Sequence, residues 1–479
     1  MSKIKEECGV FGIYSPEETD VAVDVYYALH ALQHRGQESA GIVVNKDGLF
    51  KVKKDDGLVN AVFTNQELQK LGTGNMAIGH VRYATAQSKG FLNAQPIVVN
   101  HVKGHMALAH NGSIVNSAEL RKELELNGAI FHMNSDTEII SYLIIKERLT
   151  SPSIEEAVNR AVDHLVGAFS LVIMSPSKLI AVRDKNGFRP LCYGKTENGG
   201  YAIASESCAL TTIGAEFVRD IEPGEILVID KDGVRSIKDH CNTAPKKSCI
   251  FEYIYFARPD STIDGINVHN AKVRAGKCLA QSHPVDADLV IGVPDSGIDA
   301  AIGYSMESKI PYEIGFIKSK YIARTFIAPT QKQREKGVRM KLSAISRVVK
   351  DRKIVMVDDS IVRGTTCAQI ITLLRDAGAK EVHVRISAPP FLNPCYYGTD
   401  IDSRDKLIAC KMSIDEIRQT IGADSLGFLE VKDLCKIVKS EEGVGYCDAC
   451  FTNNYPTDLP STTEQSKFTT AISLNKGEK

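Results

Sequence analysis

A cysteine stands seven residues behind the first methionine, in Cys8-Gly-Val-Phe-Gly12, and an apolar run follows at once. Alone it reads as a buried cysteine opening an edge strand. The chemical alternative is that removal of Met1–Glu7 makes Cys8 the N-terminus. Its α-amine, with a pKa of about 7.7–8.0, could then serve as base for its own thiol. Three downstream segments give such a thiol a substrate. Gly79-His-Val-Arg-Tyr-Ala-Thr85 places Arg82 just after a strand, where a forked guanidinium can grip a carboxylate. Ala109-His-Asn-Gly-Ser113 follows another strand and offers the Asn111 amide and the Gly112 N–H, donors suited to an oxyanion hole. Ser135-Asp-Thr-Glu138 offers Asp136 at a helix start for an ammonium group. A thiol, two clamps and an oxyanion hole describe hydrolysis of an amino-acid side-chain amide, that of glutamine.

A second constellation lies far downstream. Val355-Met-Val-Asp-Asp-Ser-Ile-Val-Arg-Gly-Thr-Thr366 runs out of an apolar strand into small residues, hydroxyls and a glycine that lead directly into a helix. Alone, Asp-Asp after a strand is often a turn. Backbone N–H groups in such a loop, with a helix N-terminus behind them, can cradle a phosphate. The P-loop pattern is absent, so this is a different cradle. Asp358 and Asp359 at the strand end are placed to engage ribose hydroxyls and Mg²⁺. Between Lys318 and Lys341 lie eight basic residues and a single acidic one, Glu335. That segment reads either as a solvated or RNA-binding loop or as a lid over an anionic ligand.

Cys8, His34-Arg-Gly-Gln-Glu-Ser39 and the Arg82, Asn111 and Asp136 segments together resemble the glutaminase domain of class II amidotransferases. The resemblance spans about residues 8–235. It implies that Cys8 attacks the glutamine amide, that Asn111 and Gly112 hold the oxyanion, and that Arg82 and Asp136 bind the two ends of the amino acid. Arg35 and Thr85 match substrate-side positions of the motif. The Asp358 segment, with Ser360, Arg363, Gly364, Thr365 and Thr366, resembles the phosphoribosylpyrophosphate signature of type I phosphoribosyltransferases. Gly292-Val-Pro-Asp-Ser-Gly297 resembles their pyrophosphate loop, which implies Ser296 beside the Mg²⁺ that Asp358 and Asp359 hold. It also implies that the basic segment, with Lys320 and Arg324, closes over the diphosphate.

Both halves in one chain resemble the glutamine phosphoribosylpyrophosphate amidotransferase family over about 450 residues. The implied reaction, first in de novo purine biosynthesis, turns glutamine, water and phosphoribosylpyrophosphate into glutamate, phosphoribosylamine and pyrophosphate. Ammonia passes internally between the sites. The resemblance also implies a homotetramer inhibited by purine nucleotides. Of the rivals, a glucosamine-phosphate synthase has no use for the Asp358–Thr366 signature. A catalytically dead regulator should have lost Cys8 or its oxyanion donors and gained a DNA-binding module.

Among twelve cysteines, Tyr446-Cys-Asp-Ala-Cys450 forms a Cys-x2-Cys pair that could be half of a zinc site or a redox pair. Cys249 and Cys395 sit in family-like surroundings. One branch of the family holds a [4Fe–4S] cluster on four such cysteines and also carries a short leader before the nucleophile. By that resemblance Cys249, Cys395, Cys447 and Cys450 are cluster ligands, with a closed zinc site as the alternative. The other cysteines outside the glutaminase site read as small core residues.

These groups need a scaffold. A chain of 479 residues exceeds one ordinary core, so two domains are expected. Short β-rich runs, among them Val10–Tyr14, Ala77–Val81 and Met106–Ala109, alternate with helical patterns at about 22–33, 117–127 and 135–148. A polar stretch at 240–250 separates them from Lys353–Val357, Thr365–Ala377 and Glu381–Ile386, which read as strand, helix and strand of a parallel sheet. The fold expected from the resemblance is α/β in two domains. An N-terminal nucleophile αββα sandwich over 8–240 precedes a type I phosphoribosyltransferase sheet over 250–455. A leader at 1–7 is removed and a flexible tail occupies 456–479. A net charge of −1 favours neither nucleic acid nor an anionic membrane. No secretory signal or spanning run appears, so the chain is expected in the cytoplasm.

Overall fold

A computed structural model of the chain describes residues 8–83, 91–319, 341–401, 403–441 and 443–459. Expectations attached to the leader, to Thr85, to Lys320 and Arg324, and to the tail beyond Leu459 lie outside these residues. Among the described residues no helix is long and apolar enough to cross a membrane.

The first half stacks two antiparallel sheets. One has seven strands in the order Glu216–Asp220, Cys192–Lys195, Tyr201–Ala204, Gly9–Thr19, Gly74–Arg82, Ser39–Lys46, Leu49–Asp56. The other has six, in the order Gly233–Ile237, Ile226–Asp230, Leu179–Arg183, Gly167–Met174, Gly104–Ile114, Ile97–His101. Alternation along each strand sorts side chains between layers. Val10, Tyr14, Met76 and Ile78 meet Ala107, Ala109, Val172 and Leu179 between the sheets. Phe11 and Ile13 turn outward to the Val21–Ala31 helix. Met106 and Leu108 turn outward to the Asp136–Thr150 and Ile154–Val162 helices. The layering is αββα, as expected.

The Gly104–Ile114 strand runs further than its apolar pattern predicts. Its pairing with Gly167–Met174 continues as far as Ile114 opposite Gly167, so Asn111 and Gly112 lie within the strand rather than after it. Continued alternation keeps Asn111 on the inter-sheet side with Ala107 and Ala109 and turns His110 toward the Asp136 helix.

In the second half, four parallel strands are ordered Leu289–Gly292, Lys353–Asp358, Glu381–Ile386, Ser425–Phe428. The Thr365–Asp376 helix connects the second to the third, which makes the expected βαβ unit. A single apolar core holds the sheet to the Val268–Ser282, Ile298–Ser308 and Ile414–Ile421 helices. A short strand at the junction of the halves, Lys247–Cys249, pairs in parallel with Gly445–Cys447. The chain's late residues are thereby bound to the start of the second half.

Candidate active sites

Cys8 immediately precedes the Gly9–Thr19 strand, whose neighbour ends at Arg82 with Gly9 opposite Val81. The thiol and the guanidinium thus come from the same end of adjacent strands. The Cys8 Sγ points toward the Tyr83 carbonyl at 3.9 Å. Gly36 packs on the same strand end, where an added Cβ would stand 2.6 Å from the Val81 carbonyl carbon. That close approach tucks Arg35 beneath the nucleophile. Arg35 is buried; its Nε donates to the Cys8 carbonyl at 3.1 Å. Its Nη1 donates to Glu206 at 2.6 Å and to Glu252 at 2.9 Å, and Nη2 donates to Glu252 at 2.7 Å. With its nitrogens so engaged, the residue supports the site from behind.

Asn111 reaches the same region from the facing sheet. It is buried, and its Nδ2 makes no hydrogen bond among the described residues. Such an amide is a donor held in reserve, because a buried donor left unsatisfied costs about 1–3 kcal/mol. Gly112 has φ +133°, and a Cβ there would stand 2.2 Å from the Ala168 carbonyl oxygen, so only glycine fits. Asp136 opens its helix, with Ser135 as the cap. Its carboxylate accepts from the Ile114 N–H at 3.1 Å and lies 3.5 Å from His110 Nδ1. Burial pushes this carboxyl up, but His110 and the N–H groups of Ile114 and Thr137 outweigh it and hold the pKa below the usual value. An anionic carboxylate, a guanidinium, a thiol and an idle amide donor are the chemistry of an amino-acid amide site.

In the second half, Asp358 ends the Lys353–Asp358 strand and Asp359 follows; both are buried. Asp359 accepts from the hydroxyls of Ser296 and Ser360, and its N–H donates to the Asp358 carboxylate at 3.0 Å. Ser296 arrives because its strand runs parallel alongside, with Gly292 opposite Val357. The loop turns at Gly364, φ +76°, into the Thr365–Asp376 helix. Thr366 Oγ1 is buried there without a hydrogen bond among the described residues, while Arg363 and Thr365 are exposed. Two carboxylates and a serine beside a loop that leads into a helix N-terminus suit Mg²⁺, which takes few protein ligands and leaves room for phosphate oxygens and water.

Cys249, Cys395, Cys447 and Cys450 line one cavity, walled on its apolar side by Phe188, Phe251 and Phe391. Strand register sets Cys249 opposite Cys447, and the Tyr397 N–H donates to Cys395 Sγ at 3.4 Å. Burial pushes the Cys447 thiol up to about 12 and the Cys450 thiol well above its ordinary value, and neighbouring cysteines add to both. Among the described residues no three His, Cys, Asp or Glu side chains stand close enough to hold a single metal ion.

A family profile described as a glutamine amidotransferase domain matches residues 80–212. The amidophosphoribosyltransferase of Bacillus subtilis is 49% identical over 95% of both chains. That of Methanocaldococcus jannaschii is 49% identical over 94% of this chain and 98% of its own. The chain belongs to the amidophosphoribosyltransferase family.

Solved structures agree with that membership. One described as the allosteric regulatory enzyme of purine biosynthesis superposes with a TM-score of 0.89 at 48% identity, covering 95% of this chain and 98% of its own. Another, glutamine phosphoribosylpyrophosphate amidotransferase from B. subtilis in complex with ADP and GMP, gives 0.87 at 48% identity over 94% and 98%. An amidophosphoribosyltransferase is a glutamine-dependent phosphoribosyltransferase, and both halves such an enzyme needs are present here. The sequence motifs place His110 only as a neighbour of Asn111 and give Gln95 no role. The structure puts the His110 ring beside Asp136, with Gln95 Oε1 accepting from the His110 N–H at 2.8 Å and Gln95 Nε2 donating to Thr137 at 3.1 Å. Strand alternation could have paired His110 with that helix.

Proposed function

We propose that this chain makes 5-phosphoribosylamine, pyrophosphate and glutamate from glutamine, water and phosphoribosylpyrophosphate at the first step of de novo purine (IMP) biosynthesis. The observation that carries the reading is the pairing, in one chain related to the family over nearly its full length, of a thiol–amide–carboxylate centre and an Asp358–Asp359 phosphate loop. Removal of the leader exposes the Cys8 α-amine, which takes the thiol proton as sulfur attacks the glutamine amide. Asn111 Nδ2 and the Gly112 N–H receive the charge that develops on oxygen. Arg82 and Asp136 hold the two ends of the amino acid. Ammonia crosses internally, because free ammonia is mostly protonated near neutral pH and ammonium is no nucleophile.

In the second half, Asp358 and Asp359 orient the ribose, and Ser360–Thr366 with Arg363 cradle its phosphate. With Ser296, the two aspartates would hold Mg²⁺, which when bound neutralises diphosphate charge. Lys320 and Arg324, by their resemblance to the family's basic segment, would supply positive charge for the diphosphate. The enzyme is read as a cytoplasmic homotetramer inhibited by purine nucleotides, with no nucleic-acid or membrane partner. The deciding assay is pyrophosphate release with Mg²⁺. It should require phosphoribosylpyrophosphate and be driven by glutamine, with one glutamate formed for each pyrophosphate. Glutamine hydrolysis without any phosphoribosylpyrophosphate-dependent product would sink the reading.

Cys249, Cys395, Cys447 and Cys450 are proposed to hold a [4Fe–4S] cluster that pins the late chain to the junction of the halves. Four thiols around one largely apolar cavity fit that group. Its role is structural, since neither amide hydrolysis nor ribosyl transfer moves an electron. Anaerobically purified protein should be brown and contain about four irons and four sulfides per chain. Stoichiometric zinc without sulfide would overturn the cluster and leave the enzyme assignment standing.

A further inference from the structure

The two sides of the glutaminase centre converge, through buried charges, on one residue of the transferase half. Glu252 opens the π-helical turn Glu252–Phe256 just past the junction, a rare conformation that is frequent at functional sites. One edge of its carboxylate takes two hydrogen bonds from Arg35, whose Nε holds the Cys8 carbonyl. Its Oε1 also lies 3.5 Å from Arg189 Nη1. Arg189 in turn donates from Nε and Nη2 to the Tyr397 carbonyl, at 3.2 and 2.6 Å. The next residue, Gly398, lies so flat on Gly112 that an added Cβ would come within 3.3 Å of the Gly112 carbonyl carbon. Arg35, Arg189 and Glu252 are all buried, so water cannot replace any of these contacts cheaply.

We propose that Glu252 is a positioning residue for glutamine hydrolysis. Through Arg35 it fixes the main chain of the nucleophile, and through Arg189 it presses the Tyr397–Gly398 backbone against the oxyanion glycine. The glutaminase centre is therefore completed by a carboxylate from the other half, which touches no substrate itself. The inference rests on the roles given above to Cys8 and Gly112.

Glu252→Gln in the full chain keeps the shape but turns one acceptor into a donor facing guanidinium groups. Misplacement of a reacting group by about 1 Å can cost on the order of 100-fold in rate. Glutamine-dependent kcat should therefore fall about 10–100-fold. KM for glutamine should stay near its starting value, because Arg82 and Asp136 are untouched, and ammonia-dependent turnover should persist. Arg189→Lys keeps the buried charge balance but loses the forked grip on Tyr397. It should show the same selective loss, and it decides the matter should Glu252→Gln fail to fold. A purely structural role would lower glutamine- and ammonia-dependent turnover together; that parallel loss, or unchanged glutamine turnover, overturns the proposal. Cys8→Ala run alongside separates the two readings. If that variant still uses glutamine, the assignment of the nucleophile fails rather than the role of Glu252.

Discussion

Cys8→Ala should lose glutamine-dependent turnover by about 10⁴-fold or more, the scale on which enzymes fall when a covalent nucleophile is removed. The same variant should still turn over phosphoribosylpyrophosphate with ammonium salts at high pH, where free ammonia is abundant. The selectivity follows from the fold. Cys8 ends on an antiparallel sheet of the first half, whereas Asp358 and Asp359 end a strand of the separate parallel sheet. Deleting one sulfur at a strand terminus leaves the inter-sheet core of Val10, Tyr14, Ile78 and Val172 in place. Intact mass of the active wild-type enzyme should show Cys8 as first residue, since its α-amine is the base in the proposed mechanism. Full activity in a species retaining Met1–Glu7, or glutamine use by the alanine variant, would refute the scheme.

The parts of this centre that could be read from sequence are those in which chemistry and element boundary fall within a few residues. Asp136 is legible because Ser135 caps the helix it opens. Asp358 and Asp359 are legible because an apolar strand stops there and Gly364 starts a helix. Glu381–Ile386 matches its predicted bounds, and Lys353–Val357 is extended only to Asp358, because turns flank both runs. The Gly9–Thr19 strand outruns its predicted end at Tyr14 because Pro16–Glu18 continue it with exposed side chains, and an apolar pattern cannot register an exposed extension. The motif around Arg35 places it near the site but does not give its protein partners. Its actual partners, Glu206 and Glu252, lie 171 and 217 residues away and look like ordinary surface charges in the sequence. Burial of that ion network is a property of how the halves meet, which no local pattern encodes.

Asp358→Ala combined with Asp359→Ala should remove turnover with both nitrogen donors, the complement of the cysteine result. The two carboxylates are the anionic groups at the end of the central strand, and Asp359 also holds the Ser296 and Ser360 hydroxyls in place. Their loss removes the grip on the ribose and the oxygen ligands for Mg²⁺ that are both proposed for them. Stabilisation of developing charge by a bound metal is worth several kcal/mol, which corresponds to a fall on the order of 10³-fold. The strand itself should survive, because Ile354–Val357 supply its buried packing and the register with Leu289–Gly292 and Glu381–Ile386 uses main-chain bonds only. Reaction of Cys8 with a thiol-directed glutamine analogue should therefore proceed as in the unmodified enzyme, which shows the first half intact. Normal use of ammonia by this double variant would mean that the ribose and metal are held elsewhere. Loss of Cys8 labelling together with turnover would instead show that the two aspartates support the fold of both halves.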